Sequence, residues 1–298
     1  MKRLDASKLG VCRILMFGFA LLYYGTQDFT QWAHVPPVFW RPIAIARLLH
    51  VQYPSSASLL IVQWIFRAAL LLSCVGLYTR AAIFVAGISG AYLIALPNNY
   101  GNVHRIDAAF VVALLFMALS RSGDAWSLDA RIGKRAPVVW KFEYAWPVML
   151  IRSLLAVVFF AAGFAKLRHR GLDWITTDSL AILLGEQSRL LEEPLFPAAG
   201  AWVAGHARLC SILAGMTVLL EISYPLALIS KTARKIIPAG AVAMLISIRV
   251  LQGPAFLPLM ALQLFWVDWP WLIEWISSQW RVRHAGRSLP RTSTVPGM

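Results

Sequence analysis

The sequence predicts an all-α protein, a polytopic transmembrane helical bundle of about eight membrane helices. Composition is the first observation. Hydrophobic residues make up 59% of the 298 residues and charged residues 14%, where soluble domains run to about 45–50% and about 25%. A mean hydropathy of +0.63 agrees. The second observation is a series of apolar runs near the ~20 residues that a helix needs to cross hydrocarbon. The third is the placement of Lys and Arg, which alternates from loop to loop. Together these exclude a soluble domain and a disordered chain. The net charge of +14 then reads as cytoplasmic loops and anionic lipid, and nucleic acid is not an expected partner.

The elements follow in order. Met1–Lys8 is a short basic stretch, and Leu9–Thr26 is the first span. Its end, Tyr23-Tyr24-Gly25-Thr26, lacks a small-residue cleavage site, so it is expected to be retained. Gln27–Ala57 is an outer loop with Pro36-Pro37, Trp40 and His50, apolar enough for the headgroup region. Spans are expected at Ser58–Thr79, Ala81–Pro97, Arg105–Leu119 and Ala145–Lys166. The outer segment Arg168–Leu209 holds an amphipathic stretch, Ser179–Leu191, with Leu180, Leu183, Leu184 and Leu191 on one side. It reads as an interfacial helix covering the bundle. Cys210–Ile229, Lys235–Leu251 and Phe256–Ile273 complete the spans. Trp266, Trp269, Trp271, Trp275 and Trp280 mark the inner interface, and the arginines beyond them form a basic tail for anionic headgroups. The chain divides into a membrane domain, 1–275, and a cytoplasmic tail, 276–298.

Alternating the spans from a cytoplasmic N-terminus puts sixteen of the 28 Lys and Arg residues inside, eight outside and four within spans. The bias predicts both termini inside, in a multi-pass protein of the bacterial inner membrane. Cys12, Cys74 and Cys210 lie in apolar runs and are expected as thiols packing like small hydrophobes.

Ionisable residues within spans are functional candidates by default, because each costs several kcal/mol unless paired or wet. Arg13 lies close enough to Lys8 to snorkel to inner headgroups. Arg67 and Glu221 fall near the middle of their spans, at similar depth by the 1.5 Å rise, and are expected as a structural intramembrane pair. A proton or substrate relay is the other reading. His104, Lys166 and Arg249 fall at the outer leaflet. A lysine in a last helical turn complements the dipole and snorkels, and a histidine there is an ordinary interfacial or capping residue. Asp107, at i+3 from His104, orients the imidazole or favours the helix N-terminus. Spacing alone supports a polar pocket opening outward.

Phe160-Ala161-Ala162-Gly163-Phe164-Ala165-Lys166-Leu167, followed by Asp173-Trp174, resembles the Y-x-x-A-G-x-x-K-L…W element of the HTTM family, the membrane domain shared with vitamin K-dependent gamma-carboxylases. The Arg13-containing first helix is similar too. So are His104 with Trp126-Ser127-Leu128-Asp129-Ala130, and Glu221 within Leu220-Glu221-Ile222-Ser223-Tyr224-Pro225. The resemblance covers most of residues 9–268. It implies that Lys166 is a catalytic base that deprotonates a reduced, vitamin K-like quinone. The quinol then reacts with O2, and the resulting alkoxide removes a γ-proton from a substrate glutamate, whose carbanion takes up CO2. It implies that His104 stabilises developing negative charge, with Arg249, Asp107 and Trp174 lining the substrate or lipid pocket. No metal is implied. Two departures stand out: the family's later Phe-His pair is Ile248-Arg249 here, and the glycine expected after Trp174 is Thr177. The carboxylases also carry a large luminal β-rich region after the membrane domain. Here a basic tail is expected in its place, so substrate docking would fall to a separate protein partner.

Three functions compete. One is a quinol-dependent, carboxylase-like enzyme, a lyase, with an outward-facing pocket and a lysine base. The second is a non-catalytic membrane binding or assembly protein that keeps the fold. The third, a transporter, lacks the expected inverted repeat and paired broken helices. No Gly-rich phosphate loop, H-E-x-x-H or G-x-S-x-G occurs, and the six histidines show no metal-ligand spacing.

Overall fold

The first apolar run folds as α1 (Lys2–Tyr23) in the computed structural model, which describes residues 2–101, 107–133, 142–187, 194–269, 271–275 and 278. Leu9, Cys12, Arg13, Met16, Phe17 and Ala20 are all 0% exposed. Their spacing of three and four places them on one helical stripe against the core. The chain then folds back. A 3-10 turn, Phe29–His34, is capped by Asp28, whose carboxylate accepts from the Thr30 amide at 3.0 Å. Bonds from the Thr30 hydroxyl and amide hold that exposed carboxyl below its usual range. A second 3-10 turn (Pro37–Phe39) and α2 (Ala44–Leu48) complete the loop.

α3 (Ser56–Val75) begins with a reciprocal Ser55–Ser58 capping box and ends at Gly76. Gly76 has φ +75°, and a Cβ there would lie 2.4 Å from Ser127 Cβ and 2.5 Å from Arg13 Nη1. Only glycine fits both the backbone and the space. α4 (Thr79–Ala95), a 3-10 extension (Leu96–Tyr100) and α5 (Ala108–Leu119) return across the bundle. After α5 comes the short α6 (Leu128–Ile132), then the long α7 (Phe142–Arg170). α8 (Asp173–Thr176), α9 (Ser179–Gln187) and α10 (Pro197–Ala204) precede α11 (Ala207–Ser223). α12 (Leu226–Ile229), α13 (Ala233–Leu251), α14 (Leu257–Leu262) and a 3-10 turn, Gln263–Trp266, follow. The described residues contain no strand, so the all-helical class stands.

Among the described residues, four helical segments are long and apolar enough to cross a membrane: 6–23, 56–75, 79–100 and 142–170. α10 and α11 pass the same test together but are bent by 103°. α5 and the 257–266 segment are apolar but shorter. α1, α3, α4 and α5 pack side by side, as do α7, α11 and α13, and α14 touches α1, α5 and α7. One core runs through both groups, from Phe17, Phe66 and Phe110 to Phe159, Tyr224 and Phe265. In α9, Leu184 is buried with Val203 and Cys210 in a small second cluster. Leu191, expected on the same face, lies outside the described residues.

Two expectations are corrected. Arg13 does not snorkel. It is fully buried, and its guanidinium donates to the carbonyls of Ser122 (3.0 Å) and Trp126 (2.6 Å) in the turn before α6. The buried stripe of α1 aims it inward. Trp266 is not an interfacial anchor. It is 8% exposed and donates from Nε1 to the Tyr224 hydroxyl at 3.0 Å. Trp271 and Trp275 are exposed and stack on each other; Trp280 lies outside the described residues. Cys12 and Cys210 are buried, Cys74 is half-buried, and all three are free thiols.

Asp129 ties the same end together. Its carboxylate accepts from the Tyr78 amide (2.9 Å), the Thr79 amide (2.7 Å) and the Thr79 hydroxyl (2.7 Å) at the start of α4. Asp129→Ala is expected to cost about 1–2 kcal/mol, the upper range for loss of an N-terminal cap. Asp129→Asn, which keeps one acceptor oxygen, should cost less. Thermal melting in detergent reads both.

Candidate functional site

The site begins with a residue that has no chemistry of its own. Gly163 sits in α7 against α11, and a Cβ there would lie 2.8 Å from Glu221 Cβ. Its absence lets the two helices approach. Lys166, one turn further along the same face, reaches both Glu221 oxygens at 2.5 and 2.6 Å. The Lys166 side chain keeps 22% of its exposure and that of Glu221 only 6%. Gly171, at φ +57°, ends α7 with its amide on the Leu167 carbonyl at 2.8 Å. That turn returns α8 beside α11, where Ile175 packs near Gly215. The return brings the Trp174 ring over Lys166, with Nζ 5.8 Å from the ring centroid. The ammonium thus has a carboxylate on one side and an aromatic face on the other. Gly163 could be found in sequence only through the resemblance, three residues before Lys166 in the A-G-x-x-K-L element.

A buried polar cluster lies one turn below. Phe159 and Tyr224 stack with centroids 4.4 Å apart. The Tyr224 hydroxyl donates to Gln263 Oε1 at 2.6 Å and accepts from Trp266.

Of the residues singled out in the sequence, the structure brings Lys166, Glu221 and Trp174 together. The expected Arg67–Glu221 pair does not form. Arg67 donates from Nη2 to the Gln27 carbonyl at 2.9 Å and lies over Trp64, 5.1 Å from its centroid. α3 packs on α1, α4 and the folded-back loop, whereas α11 packs on α7. The two residues therefore sit on helices that face different neighbours. Arg249, in the last turn of α13, donates to the Gly253 carbonyl. His104 lies outside the described residues.

Asp107 lines a groove that does not include Lys166, Glu221 or Trp174. It accepts from the Tyr24 hydroxyl at 2.6 Å. It also stands at the polar end of that groove, of about 980 Å³ between α3, α4 and α5, beside Asn98 and Asn99. The remaining walls are almost wholly apolar, including Ile65, Phe84, Ile88 and Leu115.

Gly163→Leu should force α7 and α11 apart and break the Lys166–Glu221 contact, at the ~1–3 kcal/mol typical of overpacking. Ala161→Leu, at an exposed position of α7, is the control. A similar loss of melting temperature in both variants would refute the close-packing role.

Long apolar helices sharing one core, with a charged pair enclosed between two of them, define a multi-pass membrane protein. The family model of the HTTM domain matches residues 1–267, and the chain belongs to that family. HTTM is the membrane domain of vitamin K-dependent gamma-carboxylase-like proteins. No curated protein and no solved structure matches the chain.

Proposed function

We propose that this HTTM protein is a quinol-dependent, carboxylase-like membrane enzyme in which Lys166 moves the proton of a lipid-soluble substrate. The observation that supports this is the placement of Lys166. Its amine lies in a half-buried niche under Trp174, and among the described residues its charged partner is Glu221.

An ammonium held by a carboxylate is not yet a base. The pair becomes one by passing a proton from Lys166 Nζ to Glu221 Oε, which leaves a neutral amine and a neutral acid. Desolvation penalises both charges of the ionic form, so burial narrows the gap between the two states. The neutral amine then takes the proton of a quinol hydroxyl. The pair ends as ammonium and carboxylic acid, one proton richer, and its positive charge faces the quinolate. Trp174 holds the ammonium by its ring face and shields that side from water. A separate partner would dock a protein substrate, and Arg249 and the Asp107 end of the groove remain candidate contacts for lipid.

A second reading has an observation of its own. The Lys166–Glu221 contact is also a tie between α7 and α11, which is all that a non-catalytic binding or assembly protein would need from it.

Oxygen uptake separates the two. Purified protein in lipid nanodiscs, given a reduced naphthoquinone, should consume O2 above the autoxidation of protein-free discs. Lys166→Met combined with Glu221→Leu removes the pair as a unit and should lose that excess while remaining folded. Wild-type protein that never exceeds the background would overturn the enzyme reading and favour the tie.

A further inference from the structure

Three cations converge at the end of the bundle away from Asp107. Lys8 comes from α1, Arg152 from α7 and Arg234 from the first turn of α13. All three are half-buried. Each lies within electrostatic range of the other two. The Arg152 fork donates twice to the Phe265 carbonyl, at 3.1 and 2.9 Å, and packs over Trp266, 4.8 Å from its centroid. Arg234 donates to the carbonyls of Ala227 (3.2 Å) and Leu228 (2.7 Å). These partners are neutral. They fix both guanidinium groups in place without cancelling any charge.

Among the described residues, Asp268 is the carboxylate whose charge acts on Lys8 and Arg152, and it is exposed. Among the described residues none of the three cations forms an ion pair. Cys12, one turn beyond Lys8, is buried and lies against Trp269. Among the described residues, three positive charges, two of them anchored on carbonyls, thus face one negative charge. Half-buried like charges repel strongly unless an anion joins them. Guanidinium forks anchored on carbonyls still present N–H groups suited to a phosphate.

We propose that Lys8, Arg152 and Arg234 form a binding site for a phosphate group, carried by an anionic phospholipid headgroup or free in solution. The site is separate from the Lys166–Glu221 pair and does not depend on the enzyme reading.

Native mass spectrometry of the full chain in detergent tests it, with phosphatidylglycerol, phosphatidylcholine and inorganic phosphate as probes. Phosphatidylglycerol should bind at least about tenfold more tightly than phosphatidylcholine, since each basic residue near a headgroup contributes about 1 kcal/mol. Lys8→Gln with Arg234→Gln should abolish that preference. Arg80→Gln with Arg131→Gln, which removes equal charge from the α4 and α6 turns, should keep it. Displacement of phosphatidylglycerol by millimolar phosphate would assign the site to the phosphate group alone. Lack of displacement would assign it to the lipid headgroup. Equal binding of the two lipids, or equal loss in both double variants, would overturn the proposal.

Discussion

Replacing Lys166 with Met is expected to destabilise the protein by about 3–5 kcal/mol, because it leaves the Glu221 carboxylate buried without its partner. Glu221→Leu should be comparably damaging for the converse reason. Combining the two should recover much of the loss, since a buried pair can often be replaced by apolar side chains of similar volume at little cost. Melting temperatures in detergent for the two single variants and the double variant form a thermodynamic cycle. Strictly additive losses would refute the pair. Arg67→Leu belongs in the same series as a contrast. Its guanidinium bonds a neutral loop carbonyl, so its effect should be smaller and should add to that of Glu221→Leu.

Arg13→Met is expected to produce the second large effect. The guanidinium reaches across from α1 to two carbonyls of the turn before α6, and no other described donor serves both. A buried carbonyl left unpaired costs about 1–3 kcal/mol; the Ser122 bond is buried and the Trp126 bond part-buried. A loss on the order of 3 kcal/mol follows, even with some relaxation. Arg13→Lys keeps the charge but not the fork, so it cannot serve both carbonyls with the same geometry. An intermediate melting temperature is the expected outcome. A lysine variant as stable as wild type would show that charge, not the planar fork, is what the turn requires.

Much of the fold was legible because a membrane bundle writes its spans as apolar runs. α1, α3, α4 and α7 fall where those runs predict them. Lys166, Glu221 and Trp174 each stood out in the sequence. The pairing of Glu221 did not. α7 runs on to Arg170, a turn past the expected end of that span at Lys166, and rise per residue says nothing about azimuth. The missing information was which helix faces which, and its carrier was Gly163, whose role is to be small. Arg13 was legible in principle. Its place on the stripe with Leu9, Met16 and Phe17 points it inward, and that periodicity outweighs its nearness to Lys8. Trp266 is the opposite case. A tryptophan near a span end has the composition of an interfacial anchor, and only the tertiary partners Tyr224 and Arg152 show that it is core.

The loop after α1 does more than connect. It dips into the bundle, where the Phe29 amide donates to Gln63 Oε1 at 2.7 Å and the Gln27 carbonyl accepts from Arg67. Both partners belong to α3, which is synthesised later. Until α3 is in place, the Gln27 carbonyl and the Phe29 amide lack these partners. The first helix can therefore insert on its own, but its exit cannot settle. Insertion of this chain would be paired from the outset, with the second helix locking the first in place as it leaves the translocation machinery.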